Sequence, residues 1–330
     1  MGDTPEYQHH KSIMVAAAHP GIPALPHMVR DFAEDVLERA NGRIDLVGGF
    51  ARRVAMMMIG RYLGVPAPPR LMMWWTRAIF RNVFTNFSND PLMTAEAGHA
   101  LVRLNNRIDR LSAEARRDIA NGRSGQDFMH CMLSEDAKRV ASGGTPLSDK
   151  TIHNIVAGLA CAMSETISTA IAYSIDYLLG HAAYLPGAVA AARAKNVAAL
   201  THYVYEILRF RPEIPFLPRL AAFTTTVAAM TSRAATIPEN SLVLAATSSA
   251  MFDPRAFVQP TVFKLDRELD KYLHFGAGLH RCFGEPIARL VVPEAIGAIL
   301  RRGGLRPAAG TAGRMRFDGG FPDSMTVEFK

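Results

Sequence analysis

Phe275-Gly276-Ala277-Gly278-Leu279-His280-Arg281-Cys282-Phe283-Gly284 sets a single cysteine in a turn with three glycines, just ahead of an apolar run that begins at Pro286. Glycine adopts left-handed backbone angles without steric penalty, so such a loop can curl until amide groups point at the Cys282 sulfur. The amino end of the helix that follows favours an anion. Both effects lower a thiol pKa and yield a stable thiolate. A lone cysteine is more often a buried, inert filler, and the loop by itself leaves both readings open.

Working outward, Val197 to Phe210 reads as a helix that stops before Pro212, because proline drives its predecessor out of helical angles. It carries Glu206 and Arg209, three apart and so on one face. Runs rich in Thr and Val at Phe223 to Val227 and Leu242 to Thr247, separated by Ile237-Pro238-Glu239-Asn240, read as short strands of a small sheet, and Arg219 falls in a strand-like run. Beyond the loop an amphipathic helix is expected from about Pro286 to Arg301, and the tail from Arg314 to Lys330 suits a hairpin.

Toward the amino end, Ser148 can cap a helix that continues through apolar residues to about Leu179, long enough to cross the middle of a molecule. Inside it, Ala162-Met163-Ser164-Glu165-Thr166 sets an acid beside a hydroxyl where unpaired polarity is costly. From Ala24 to about Lys150 the pattern is helical with almost no strand signal, broken at Gly42, at Pro66, Pro68 and Pro69, at Asn89 to Pro91 and at Gly122 to Gly125.

With 330 residues, 49% of them hydrophobic, the chain can bury a substantial core. Its formal charge of +7 leans basic, though most such charges solvate helix faces. Cys131, Cys161 and Cys282 are the only cysteines and form no CxxC pair, which argues against a disulfide framework or a structural zinc site. Met1 to Lys11 is polar, and no later stretch looks long enough without polar residues to span a bilayer, so the expectation is a cytoplasmic protein bound neither to membrane nor to nucleic acid.

The spacing Phe275, Gly278, His280, Cys282, Gly284 resembles the heme-binding signature of the cytochrome P450 superfamily at every fixed position. That resemblance implies a mainly α fold with small β-sheets (α+β), in a single domain over 1–330: mostly helical over 1–215, small strands and the cysteine loop over 216–284, a final helix and tail over 285–330. It implies heme b, iron protoporphyrin IX, with Cys282 as the metal ligand. Phe275 would pack over the sulfur, His280 and Arg219 would reach heme propionates, and Gly276, Gly284, Ala162 and Lys11 would lie against the cofactor. Glu206 and Arg209 resemble the superfamily's Glu-x-x-Arg helix, with Arg267 as the third member.

Ala162 to Thr166 is similar to the superfamily's oxygen-activating helix, which implies proton handling by Glu165 and Thr166. It departs from the pattern at Met163, where glycine is usual, and at Ile167, a frequent second threonine. Further likeness runs through Gly42 to Val47, Gly60 to Val65 and Gly125 to Ser148. Asp3 to Met14 resembles the helix over the heme's front edge, with Tyr7 and Lys11 at propionate-binding positions, so the member looks shortened at its amino end.

The activity implied is a monooxygenase acting on a hydrophobic small molecule, fed electrons by a ferredoxin and its reductase or by a flavoprotein. Lys271, Arg281 and Arg289 are the basic residues that would face such a donor. A peroxide-dependent or hydroperoxide-rearranging enzyme and a catalytically degenerate heme-binding protein are the alternatives.

Overall fold

A computed structural model describes residues 4–330. In chain order, the first half holds α1 (Pro5–Ala18), α2 (Leu25–Glu38), β1 (Arg43–Asp45), α3 (Arg52–Tyr62), α4 (Pro69–Phe84), α5 (Pro91–Ala120) and α6 (Phe128–Ala141). Next come α7 (Asp149–Gly180), α8 (Leu185–Arg193), α9 (Val197–Phe210), β2 (Leu217–Leu220), β3 (Thr225–Val227), β4 (Ala235–Ile237), β5 (Leu242–Ala245) and the short α10 (Thr247–Ala250). The chain ends with α11 (Glu285–Leu300), β6 (Arg306–Pro307), β7 (Arg316–Asp318), β8 (Phe321–Ser324) and β9 (Thr326–Glu328).

Two compact units result: Met1–Val204 with Phe283–Lys330, and Tyr205–Cys282. The boundary of the smaller unit falls inside α9.

In the larger unit, local chemistry fixes the helix ends. Thr4 accepts from Tyr7 N at 3.2 Å, Asp127 from His130 N at 3.0 Å and Ser148 from Thr151 N at 3.1 Å, each satisfying an amide that the first turn cannot. Asp3 lies outside the described residues. α7 touches α3, α4, α5 and α11, while α2 packs on α11, α1 on α6 and α4 on α5.

Its 32 residues make α7 long and apolar enough to cross a membrane, against the expectation that no segment would pass that test. Most of it is instead buried by these neighbours. Buried Ser164 and Ser168 return their hydroxyl protons to the carbonyls of Cys161 and Ser164, which is how polar residues are tolerated there. Away from its ends, where Asp149, Lys150 and Gly180 are exposed, the exposed positions are Asn154, Gly158 and Ala162, with Thr166 half-buried, four residues apart along one stripe.

β1 is a three-residue strand within residues 24–150, where the sequence carries almost no strand signal: it pairs antiparallel with β9, Ile44 opposite Val327, and β6 takes the other side of β9. Asp45 locks this edge by accepting from Gly48 N at 2.8 Å and from Met325 N at 2.9 Å. The smaller unit holds two antiparallel ribbons, β2 with β5 and β3 with β4, and a core of Tyr205, Met251, Phe257 and Tyr272.

Candidate functional site

The cysteine loop is built from the smaller unit. Gly276 and Gly278 stand at φ +68° and +72°, the left-handed angles the sequence asks of them. Gly276 N donates to Leu273 O at 3.1 Å, and Cys282 N donates to Phe275 O at 2.8 Å, so the turn closes on the cysteine's own amide. Cys282 is exposed, and α11 begins three residues further along the chain. Phe275 is half-buried against the Tyr205 and Tyr272 core, and His280 ends a short 3-10 turn, also half-buried.

Behind the loop lies a buried ionic network. Glu206 and Arg209 are fully buried and meet in a fork, Nη2 to Oε1 at 2.6 Å and Nε to Oε2 at 3.0 Å. Glu206 also accepts from Lys264 N at 2.9 Å, from Arg267 Nε at 3.4 Å and from Tyr272 OH at 2.7 Å. Arg267 thus joins as the resemblance implied, and its remaining N–H groups reach the carbonyls of Val258, Gln259 and Val262. Tyr272 was not foreseen, since nothing in its spacing marks it. Replacing it by Phe strips one bond from a buried carboxylate, and the expected cost is about 2 kcal/mol in urea unfolding.

His274 stacks with Tyr272 and meets Tyr205 edge-on, and its Nε2–H donates to Tyr205 O at 2.8 Å. Burial pushes its pKa down to about 4. An unfolded histidine takes up its proton as pH falls through about 6.5 while the folded one waits until about 4, so stability declines with pH across that window. Burial pushes the Glu206 carboxyl up, but the bonds from Arg209 and Tyr272 outweigh it and hold it below the usual range. Its contribution is complete above the ordinary carboxylate pKa and is lost as pH falls through the lowered value. Unfolding midpoints measured from about pH 7 to pH 4 should fall in the wild type and fall less steeply in His274→Gln.

On α7, the structure separates the expected pair. Buried Glu165 is held by Arg52 of α3, Nε to Oε1 at 3.1 Å and Nη2 to Oε2 at 3.0 Å. Thr166 donates to Ala162 O at 2.7 Å, on the uncovered stripe. Carboxylate and hydroxyl are therefore not hydrogen-bonded to each other. Met163 and Ile167, the two departures from the superfamily pattern, both point into the core and leave the stripe small.

Arg219 lies on β2 as expected, but it is exposed and bonds to the carbonyl of its neighbour Pro218 at 2.8 Å. Lys11 is half-buried on α1 with its ammonium 5.9 Å from the Tyr7 ring. His9 is exposed and His10 half-buried. Of the basic residues assigned to a donor, Lys271 pairs with Glu268 at 3.1 Å and Arg289 approaches Glu285 at 3.9 Å, so each already faces an acid.

The family profile described as Cytochrome P450 matches residues 188–321. Cytochrome P450 monooxygenase PikC of Streptomyces venezuelae is 28% identical over 281 residues, covering 85% of this chain and 61% of that protein. The 20-oxo-5-O-mycaminosyltylactone 23-monooxygenase of Streptomyces fradiae is 28% identical over 298 residues, covering 90% of this chain and 64% of its own length. The chain thus spans less than two thirds of these curated relatives. The ligand-free structure of cytochrome P450 TbtJ1 superposes with a TM-score of 0.82 at 25% identity, covering 100% of this chain and 83% of that one.

Proposed function

We propose, for a chain that belongs to the cytochrome P450 family, a heme-thiolate monooxygenase that inserts one oxygen atom from O2 into a hydrophobic small organic molecule in the cytoplasm. The observation that carries this reading is an exposed Cys282 on a left-handed glycine turn, pinned from behind by Glu206, Arg209, Arg267 and Tyr272. These residues fit a thiolate-held heme b, because the sulfur is accessible and the loop bearing it is rigid. Bound heme with a thiolate behind its iron supplies cleavage of an O–O bond.

The protein's own share is positional and protic. Cys282 would hold the iron, Phe275 would shield the sulfur, and His280, Arg219 and Lys11 would neutralise propionates, Lys11 as a point charge. Gly276 and Gly284 would let the loop approach the cofactor, and the small Gly158 and Ala162 stripe would leave room beside the α7 backbone. Thr166 can turn its hydroxyl from the Ala162 carbonyl to a ligand, and Glu165 supplies protons when its pair with Arg52 opens. Electrons come from a ferredoxin with its reductase or from a flavoprotein.

The test is a carbon monoxide difference spectrum of the reduced protein, which reports the group opposite the gas. A red-shifted thiolate-type band supports the reading, and an imidazole-type or featureless spectrum defeats it. A second reading, peroxide-driven turnover without an electron chain, draws on the closed Arg52–Glu165 pair, which leaves the acid engaged. Product formed with hydroperoxide but none with reductant and O2 would select it.

A further inference from the structure

Away from the cysteine loop, α4 and α5 leave a cleft on their outer surface. The Thr94 hydroxyl near the start of α5 donates to Asn82 Oδ1 near the end of α4 at 3.1 Å, and further along α5 Glu96 accepts the indole N–H of Trp74 at 3.0 Å, so the two helices run antiparallel. Between them opens a cavity of about 500 Å³ lined by Trp74, His99, Val102, Arg103 and Asn106. Sites for small organic ligands span roughly 300–1,000 Å³ and combine apolar walls with a few convergent polar groups. The four α5 residues recur at three and four, which sets all of them on one helix face.

Each wall offers a different chemistry. Trp74 is half-buried and its N–H is spent on Glu96, which fixes the ring and leaves its π face to the cleft. Exposed Val102 continues the apolar wall. Arg103, His99 and Asn106 are exposed and bring N–H donors, and among the described residues Arg103 has no acid or carbonyl partner. The surroundings are cationic. Arg70, one turn before Trp74, and Arg110, two turns beyond Arg103, are exposed, and Arg107 spends its donors on the neutral carbonyl of Pro66. Glu96 and Asp109, the acids in this stretch of α5, are taken up by Trp74 and His153. The local field therefore favours an anion.

We propose that this cleft is a binding site for a small aromatic carboxylate, separate from the site at Cys282. The ligand's ring lies on the Trp74 face against Val102, and its carboxylate takes the Arg103 fork, with Asn106 and His99 donating beside it. A planar guanidinium presents parallel N–H groups that match the two oxygens of a carboxylate. An inorganic anion would leave the indole wall unused, and an uncharged aromatic would leave Arg103 unused. The inference does not depend on the oxygenase reading.

Trp74 and Trp75 are the protein's only tryptophans, and Trp75 is buried, so the pair supplies a reporter and an internal control. The full chain with its tryptophan nitrogens isotope-labelled gives two indole N–H signals in a nuclear magnetic resonance spectrum, assigned by Trp75→Phe. Titration with naphthoate should move the Trp74 signal saturably and leave that of Trp75 in place. Arg103→Gln should weaken the fitted affinity about tenfold or more, and the uncharged naphthamide should bind wild type more weakly by a similar factor. Asn106→Asp sets a like charge beside the carboxylate and should also weaken binding, which decides the matter should Arg103→Gln fail to fold. An unmoved Trp74 signal, or the same naphthoate affinity in wild type and in the folded variants, overturns the proposal. A missing thiolate band in the carbon monoxide spectrum would strike the oxygenase reading while leaving this titration intact.

Discussion

Cys282→Ala is expected to abolish the thiolate-type carbon monoxide band completely and to reduce reductant-driven turnover to background. The same substitution at Cys131 or Cys161 should leave the spectrum unchanged, and the contrast follows from environment. Burial pushes the Cys161 thiol up to about 12, and Cys131 is raised by burial and by the nearby acids Asp127 and Glu135, so neither offers a thiolate near neutral pH. Cys282 is the exposed one of the three, on a turn whose backbone is committed by two left-handed glycines. Cys282→Ser is the stricter control: it preserves size and the Cys282 N to Phe275 O bond but offers a hard oxygen in place of a soft sulfur. Heme retained by the serine variant with an unshifted band would mean that the sulfur was not the ligand.

Much of this site was legible because its signals are local. The glycines around Cys282 demand angles that other residues avoid, and the structure adopts those angles. Ser148 marked the start of α7, and the proline after Phe210 marked the end of α9. Glu206 and Arg209 share a face by helical spacing alone, which is why their pairing could be expected. What stayed hidden depends on chain segments far apart in sequence. β1 is three residues long and exists because β9, at the other end of the chain, offers it a ladder. Arg52 meets Glu165 across 113 positions, and no local pattern announces such a partner. Tyr272 and His274 looked like ordinary residues ahead of a loop, and their roles come from the aromatic core into which they fold. Met163 and Ile167, the two departures from the superfamily pattern, are turned into the core by helix geometry, a placement that the motif alone does not give.

The largest loss of stability is expected from Arg209→Ala. All five N–H donors of this guanidinium are used: two on Glu206, and three on the carbonyls of Met251, Pro260 and Val262. The plane also lies over the rings of Phe210 and Phe252, 4.4 and 4.6 Å from their centroids. Truncation leaves Glu206 buried beside the weaker bond from Arg267, and breaking a buried pair in this way costs about 3–5 kcal/mol. Against a total stability of roughly 5–15 kcal/mol, that is enough to empty the loop of its rigidity. Urea unfolding should show the drop, and heme retention during gel filtration should fall with it. Arg209→Lys is expected to rescue little, since three donors on a flexible stem cannot reproduce a planar fork. Replacing both partners, Glu206→Leu with Arg209→Met, is often harmless for a simple buried pair. Here it should still destabilise, because it orphans the carbonyls of Met251 and Pro260, the Lys264 amide and the Tyr272 hydroxyl at once, while Val262 O keeps its bond from Arg267. A double variant as stable as the wild type would show that the network contributes charge pairing alone, and that the cysteine loop is held by something other than the segment from Met251 to Tyr272.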